Sequence, residues 1–128
     1  MRSKRYACHC TDCQKRTGSA FSCHMRVMKV DLDVSGETDE GQFSHPSGMQ
    51  SRIVGCARCR SRIYATSDVY PDAISLRWGT LDKASTLSPE AHIWVRSKQP
   101  WIAIPDGVPA LDTQPKDDAG WAKVLVSK

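Results

Sequence analysis

Three cysteines fall within six residues near the start of the chain, in the run Cys8-His9-Cys10-Thr11-Asp12-Cys13. A backbone that turns tightly there brings three thiols onto one ion. Zinc takes four ligands in a closed structural site and keeps a position open where it acts on a substrate. Three cysteines and a vacant position suit the second kind, and a knuckle completed by a fourth ligand from elsewhere suits the first. Spacing alone leaves both readings open. His9 lies between two of these cysteines and is expected to point away from an ion they share.

A second pair, Cys56-Ala57-Arg58-Cys59, has Cys-x-x-Cys spacing. That is half of a tetrahedral metal site. A redox dithiol is the rival reading, but it calls for a βαβ context that the sequence does not display. Cys10/Cys13 with Cys56/Cys59 also have the spacing of a two-knuckle zinc ribbon, with one closed structural ion and no catalysis. The expected zinc ligands are therefore Cys8, Cys10, Cys13, Cys56 and Cys59, and no residue is assigned a catalytic role. Cys23 is read as a small buried hydrophobe. His24, His45 and His92 are ligands by type only, although His92 opens an aromatic segment and could face a pocket. Trp78, Trp94 and Trp101 are read as core. There is no Gly-rich phosphate loop and no Gly-x-Ser-x-Gly.

The chain has 128 residues, which is most simply one domain over 1–128. Such a length buries roughly two-thirds of the unfolded surface, so a metal staple would help a modest core. Eighteen basic against fourteen acidic residues give +4, too mild for a nucleic-acid groove. Arg2, Lys4, Arg5, Lys15 and Arg16 fall near the first cysteine cluster. A solvated face is the preferred reading, and attraction of an anionic substrate or stabilisation of thiolates is the sharper one. No stretch reaches the length of a membrane span, and the N-terminus has no apolar core of a signal peptide. The expected location is the cytosol, where six cysteines point to metal or catalysis rather than disulfides.

Hydrophobic patterning points to a mainly β fold of short antiparallel strands. Phe21, Cys23, Met25 and Val27 alternate with polar residues, as do Ile74, Leu76 and Trp78. Ile53-Val54 leads into Cys56, and Arg62 to Ala65 leaves the second pair as a strand. His92 to Val95 and Trp101 to Ile104 are β-branched and aromatic, each bounded by proline. Turns are expected at Ser35-Gly36, Glu40-Gly41, His45-Pro46-Ser47-Gly48, Pro71-Asp72 and Pro105-Asp106-Gly107. No window shows a clean helical stripe. Ser88-Pro89-Glu90 suggests one helical turn, and Ala119 to Val126 a weak C-terminal helix. Residues 108–128 are expected to form a surface tail with little regular structure.

Three stretches, CHCTDCQKRTGSAFS, CARCRSRIY and HIWVRSKQPWIAIPDGVPALDTQP, resemble the glutathione-dependent formaldehyde-activating enzyme family, which includes centromere protein V. The resemblance runs from about Tyr6 to Pro115. It implies an Mss4-like fold of short antiparallel strands with zinc knuckles. It implies a three-cysteine zinc site associated with activity, matched by Cys8, Cys10 and Cys13. It also implies a four-cysteine structural site, whose second half matches Cys56 and Cys59. The implied activity is condensation of glutathione with formaldehyde to S-hydroxymethylglutathione, a carbon–sulfur lyase reaction read in reverse. A small thiol and an aldehyde are the implied partners, and the alternative is a non-catalytic zinc-stabilised binding module. The sequence departs from the family in two ways. No Cys-x-Cys precedes Cys8, so the strand that supplies the first half of the structural site is either truncated or lost, and Arg60 stands where glycine is common. The expectation is weak or absent formaldehyde–glutathione activity. For Cys56 and Cys59 three outcomes are open: an empty pair, an ion shared with the Cys8–Cys13 cluster, or an ion completed across a homodimer axis. The shared ion is the favoured one, because a single chain can make it.

Overall fold

The computed structural model describes residues 4–124, which build one mixed sheet of seven strands. The strands are β1 (Lys4–Cys8), β2 (Ser22–Met28), β3 (Thr38–Ser44), β4 (Gln50–Cys56), β5 (Arg62–Ser67), β6 (Ala73–Arg77) and β7 (Ala91–Ile93). Two short helices accompany them, α1 (Thr11–Thr17) and α2 (Asp118–Val124). Across the sheet the order is β3-β4-β5-β6-β2-β1-β7. Neighbours are antiparallel except β1 and β7, which run parallel. The mainly β expectation holds.

Alternation along the strands separates two faces, because successive side chains in a strand point to opposite sides. Met25 sits opposite Leu76, and Leu76 opposite Tyr64. On that face Met25, Leu76 and Trp78 form a buried cluster, with Cys23 and Val27 packed against it. The alternation read in Phe21–Val27 thus holds for Cys23, Met25 and Val27, while Phe21 precedes the strand and packs on His9. The other face carries a row of directly opposed residues, Tyr6, His24 and Arg77. Cys8 follows Tyr6 by two residues and so shares its face. There Cys8, Cys13 and Ile93 form a second core cluster, covered by Tyr6, Trp94, Leu111 and Trp121.

Several local expectations fail for identifiable reasons. Glu40-Gly41 is not a turn but lies inside β3, which pairs with β4 from Thr38–Cys56 to Ser44–Gln50. This strand is almost wholly exposed and polar, so backbone pairing rather than burial makes it. Trp101 to Ile104 is not a strand. Pro100 and Pro105 enclose it, and the segment instead closes a turn in which Ile102 N–H donates to Gln99. Trp101 is 73% exposed and is not core, unlike Trp78. Ser88-Pro89-Glu90 forms no helical turn. Its carbonyl at Ser88 accepts from the Arg5 guanidinium, and Glu90 is held by Arg5, so the segment runs extended into β7.

The C-terminal expectation of a weak helix is met by α2, with Val126 outside the described residues. Residues 108–115 have little regular structure, yet they are tied down along β7. His92 N–H donates to Pro109, Leu111 N–H to His92, and Trp94 N–H to Thr113.

Candidate metal centre

The cysteine motif spans the end of one element and the start of another. Cys8 is the last residue of β1, Cys10 is the N-cap of α1, and Cys13 lies in its first turn. The Cys10 thiol accepts from Cys13 N–H at 3.3 Å, a thiol capping an orphan helical donor. Gly18 closes the helix in the left-handed region at φ 65°, which suits glycine. This seven-residue helix is too short to show a periodic stripe, which is why the sequence pattern missed it. Its effect is to draw the Sγ atoms of Cys8, Cys10 and Cys13 within 4.8 Å of one another. Zinc–sulfur bonds of about 2.3 Å place tetrahedral sulfurs roughly 3.8 Å apart. The three thiols therefore fit zinc with small side-chain adjustments.

The turn between Cys8 and Cys10 is fastened from below. His9 N–H donates to the Ile93 carbonyl, and its own carbonyl accepts from Gln14 Nε2 and Ser97 Oγ. Gln14 Nε2 also donates to the Ser97 carbonyl, and Gln99 Nε2 to Gln14 Oε1. The run from His92 to Gln99 is thus the clamp that shapes the cysteine turn. His9 points away from the thiols, as expected, and is completely buried against His92, with His9 Nε2 2.9 Å from His92 Nδ1. Burial first, and the neighbouring His92 second, push the His9 pKa down to about 4.

His24 is the site residue that the sequence identified only by type. Its Nε2 lies 3.8 Å from Cys13 Sγ, and its Nδ1 lies 2.8 Å from Ser75 Oγ. Arg77 Nη1 lies 2.6 and 2.9 Å from its two ring nitrogens, and Tyr6 stacks on its other side at 5.1 Å. Burial, the largest cause, lowers the His24 pKa, against the raising effect of its hydrogen bond with Cys13. The Tyr6 hydroxyl is pushed up to about 12, mainly by burial and then by Cys8 and Cys13. Within the thiol group, Cys13 is driven down, first by its hydrogen bond with Cys8, and Cys8 is driven up by the same bond. The sequence signal for His24 and Arg77 is their placement opposite one another in adjacent strands, visible only once the strand register is known.

Cys56 and Cys59 lie elsewhere. Cys56 ends β4, and Cys59 is exposed in the turn that leads to β5. Cys56 N–H donates to the Ser61 carbonyl and Arg60 N–H to the Cys56 carbonyl, which closes a tight loop. Arg60 occupies the left-handed region at φ 65°, a conformation that favours glycine. Ser61, by its side chain and then its backbone, lowers the Cys59 pKa to about 7. Among the described residues, neither cysteine joins Cys8, Cys10 and Cys13 within 4.8 Å. The ion shared between the two cysteine sets, favoured because a single chain can make it, is therefore not what the fold arranges. Between β4 and β1 stand β5, β6 and β2.

A mainly β domain carrying three converging thiols at a strand–helix junction is what the fold and the site define. A family model described as glutathione-dependent formaldehyde-activating enzyme matches residues 1–97, and the chain belongs to that family. Among curated proteins, none matches the chain.

Proposed function

We propose that this protein binds zinc through Cys8, Cys10 and Cys13 and condenses a small thiol with an aldehyde, the glutathione–formaldehyde reaction being the family's version. The observation that carries this reading is the convergence of the three thiols beside His24 in a member of that family. Zinc bound there would stabilise a thiolate at neutral pH. In the reaction the thiol loses its proton, its sulfur bonds to the aldehyde carbon, and the carbonyl oxygen gains a proton. The chain's part is chiefly positioning. Three cysteine sulfurs already bring negative charge, so a polarising role for the metal is the weaker one. The Cys13 side of the group is held by His24, which Tyr6 and Arg77 in turn fix from both faces. Cys56 and Cys59 are proposed as half of a separate structural zinc site. A reducing cytosol is the compartment this chemistry requires.

A second reading, a zinc-stabilised binding module without turnover, draws support from burial. Cys8 and Cys13 are both buried within a core cluster, as a structural staple would be. Turnover decides between them. S-hydroxymethylglutathione formation is followed by nuclear magnetic resonance at defined zinc loading. A zinc-dependent rate above spontaneous addition supports the enzyme, and no excess at full loading leaves the module. Among the described residues no helix is long and apolar enough to cross a membrane.

A further inference from the structure

Beside the thiol group, but not lined by it, is a surface cavity of about 390 Å³. Four of its ten lining residues are arginines, and none is acidic. Arg16 comes from α1, one turn beyond Cys13. Arg77 comes from β6, and Arg60 and Arg62 come from the turn after Cys59 and the start of β5. Chain segments far apart in sequence thus deliver like charges to one concavity. Arg60 pairs with Asp39. Among the described residues no carboxylate pairs with Arg16, Arg62 or Arg77. Arg16 instead lies 4.2 Å over the Phe43 ring, which holds its guanidinium in place. The charges feel one another, since Arg62 and Arg16 both lower the Arg77 pKa, after burial as the largest cause.

Two residues of the lining also carry buried polar atoms that the chain leaves unpaired. Ser22, only 2% exposed, has a buried hydroxyl with no hydrogen-bond partner in the chain, and Arg62 has a buried Nη1 in the same condition. Both residues line the cavity. Arginine forks are matched to the planar or tetrahedral oxygens of carboxylates and phosphates. An ammonium group would find no carboxylate among the lining residues.

We propose that this arginine-lined cavity binds a small dianion whose charge sits on carboxylate or phosphate oxygens, with no compensating ammonium. The inference concerns binding and stands whether or not the thiol group turns over substrate. The oxyanions are carboxylates or phosphate, and the probes below separate the two.

The test is calorimetric titration of the zinc-loaded protein with inorganic phosphate, with succinate and with glutathione, whose ammonium makes it the discriminating probe. Phosphate or succinate should bind more tightly than glutathione, with affinity falling as salt is raised. The stronger of the two identifies the oxyanion. Arg62→Gln and Arg16→Gln should each weaken binding about tenfold, the scale of one charge-assisted hydrogen bond. Arg62→Lys should recover only part, because it restores charge without the fork. Arg16 is a partly exposed residue in the last turn of α1, so its variant remains informative if Arg62→Gln folds poorly. No heat with either dianion at millimolar concentration would overturn the proposal. So would glutathione binding that exceeds that of both dianions and weakens in the folded arginine variants, or dianion affinity unchanged in those variants.

Discussion

His9 Nε2 and His92 Nδ1 meet at 2.9 Å inside the protein, joining the cysteine turn to the strand that clamps it. Two imidazoles at that distance share one proton comfortably and repel when both are charged. The pair therefore ties the shape of the cysteine turn to pH.

The His9 pKa is about 4 in the folded chain, against about 6.5 when unfolded. The unfolded state thus binds more protons between these values. The stability contributed by neutral His9 is full above pH 6.5 or so and is lost as pH falls towards 4, by up to about 3 kcal/mol. Denaturant titrations over that range should show the loss, and His9→Gln should flatten it. An unchanged slope in that variant would assign the acid sensitivity to other groups, such as the thiols.

Metal content should follow the grouping of thiols. Cys8→Ser and Cys13→Ser each remove one of three converging sulfurs. Both should lower the zinc measured per chain and lower the melting temperature, because metal binding to a site of this kind is folding energy. Cys56→Ser should leave the zinc at Cys8, Cys10 and Cys13 in place. Loss of all zinc in Cys56→Ser would mean that the two cysteine sets are coupled after all.

Gly55 sits at a bulge where β4 meets β5. A Cβ placed there would lie 2.9 Å from the Ser61 carbonyl oxygen, which is backbone and already accepts from Cys56 N–H. Gly55→Ala should therefore destabilise the protein by about 1–3 kcal/mol, the usual range for overpacking. It should also disturb the Cys56–Cys59 loop, readable as slower or faster thiol alkylation at Cys59. A neutral effect on both would show that the loop shifts freely.

Leu111 and Trp121 lie beyond the residues matched by the family model, yet both pack on the Cys8–Cys13–Ile93 cluster. Trp121 also meets Tyr6 at 4.9 Å. Leu111→Ala and Trp121→Ala should each lower stability by about 1–3 kcal/mol, the lower end of core truncations since both side chains are only partly buried. Thermal melting of the zinc-loaded variants would check this. Melting equal to that of the parent chain would reduce this segment to a surface appendage.

Much of the candidate site was legible because its signal is local. Cys8, Cys10 and Cys13 are close in sequence, so any tight turn brings their thiols together, and alternation over Phe21–Val27 reports a strand without knowledge of its neighbours. The mainly β character followed from such patterns. What remained hidden depended on partners far along the chain. Polar, exposed β3 is a strand only because β4 pairs with it, and Trp101–Ile104 is not one because no neighbour does. Residue types alone made Cys10/Cys13 and Cys56/Cys59 look like one zinc ribbon, and strand order keeps them apart. Arg16, Arg60, Arg62 and Arg77 are scattered charges in the sequence. They become one cavity because β-sheet register and the placement of α1 set distant backbone positions side by side, a cooperative property of the whole fold that no local window contains.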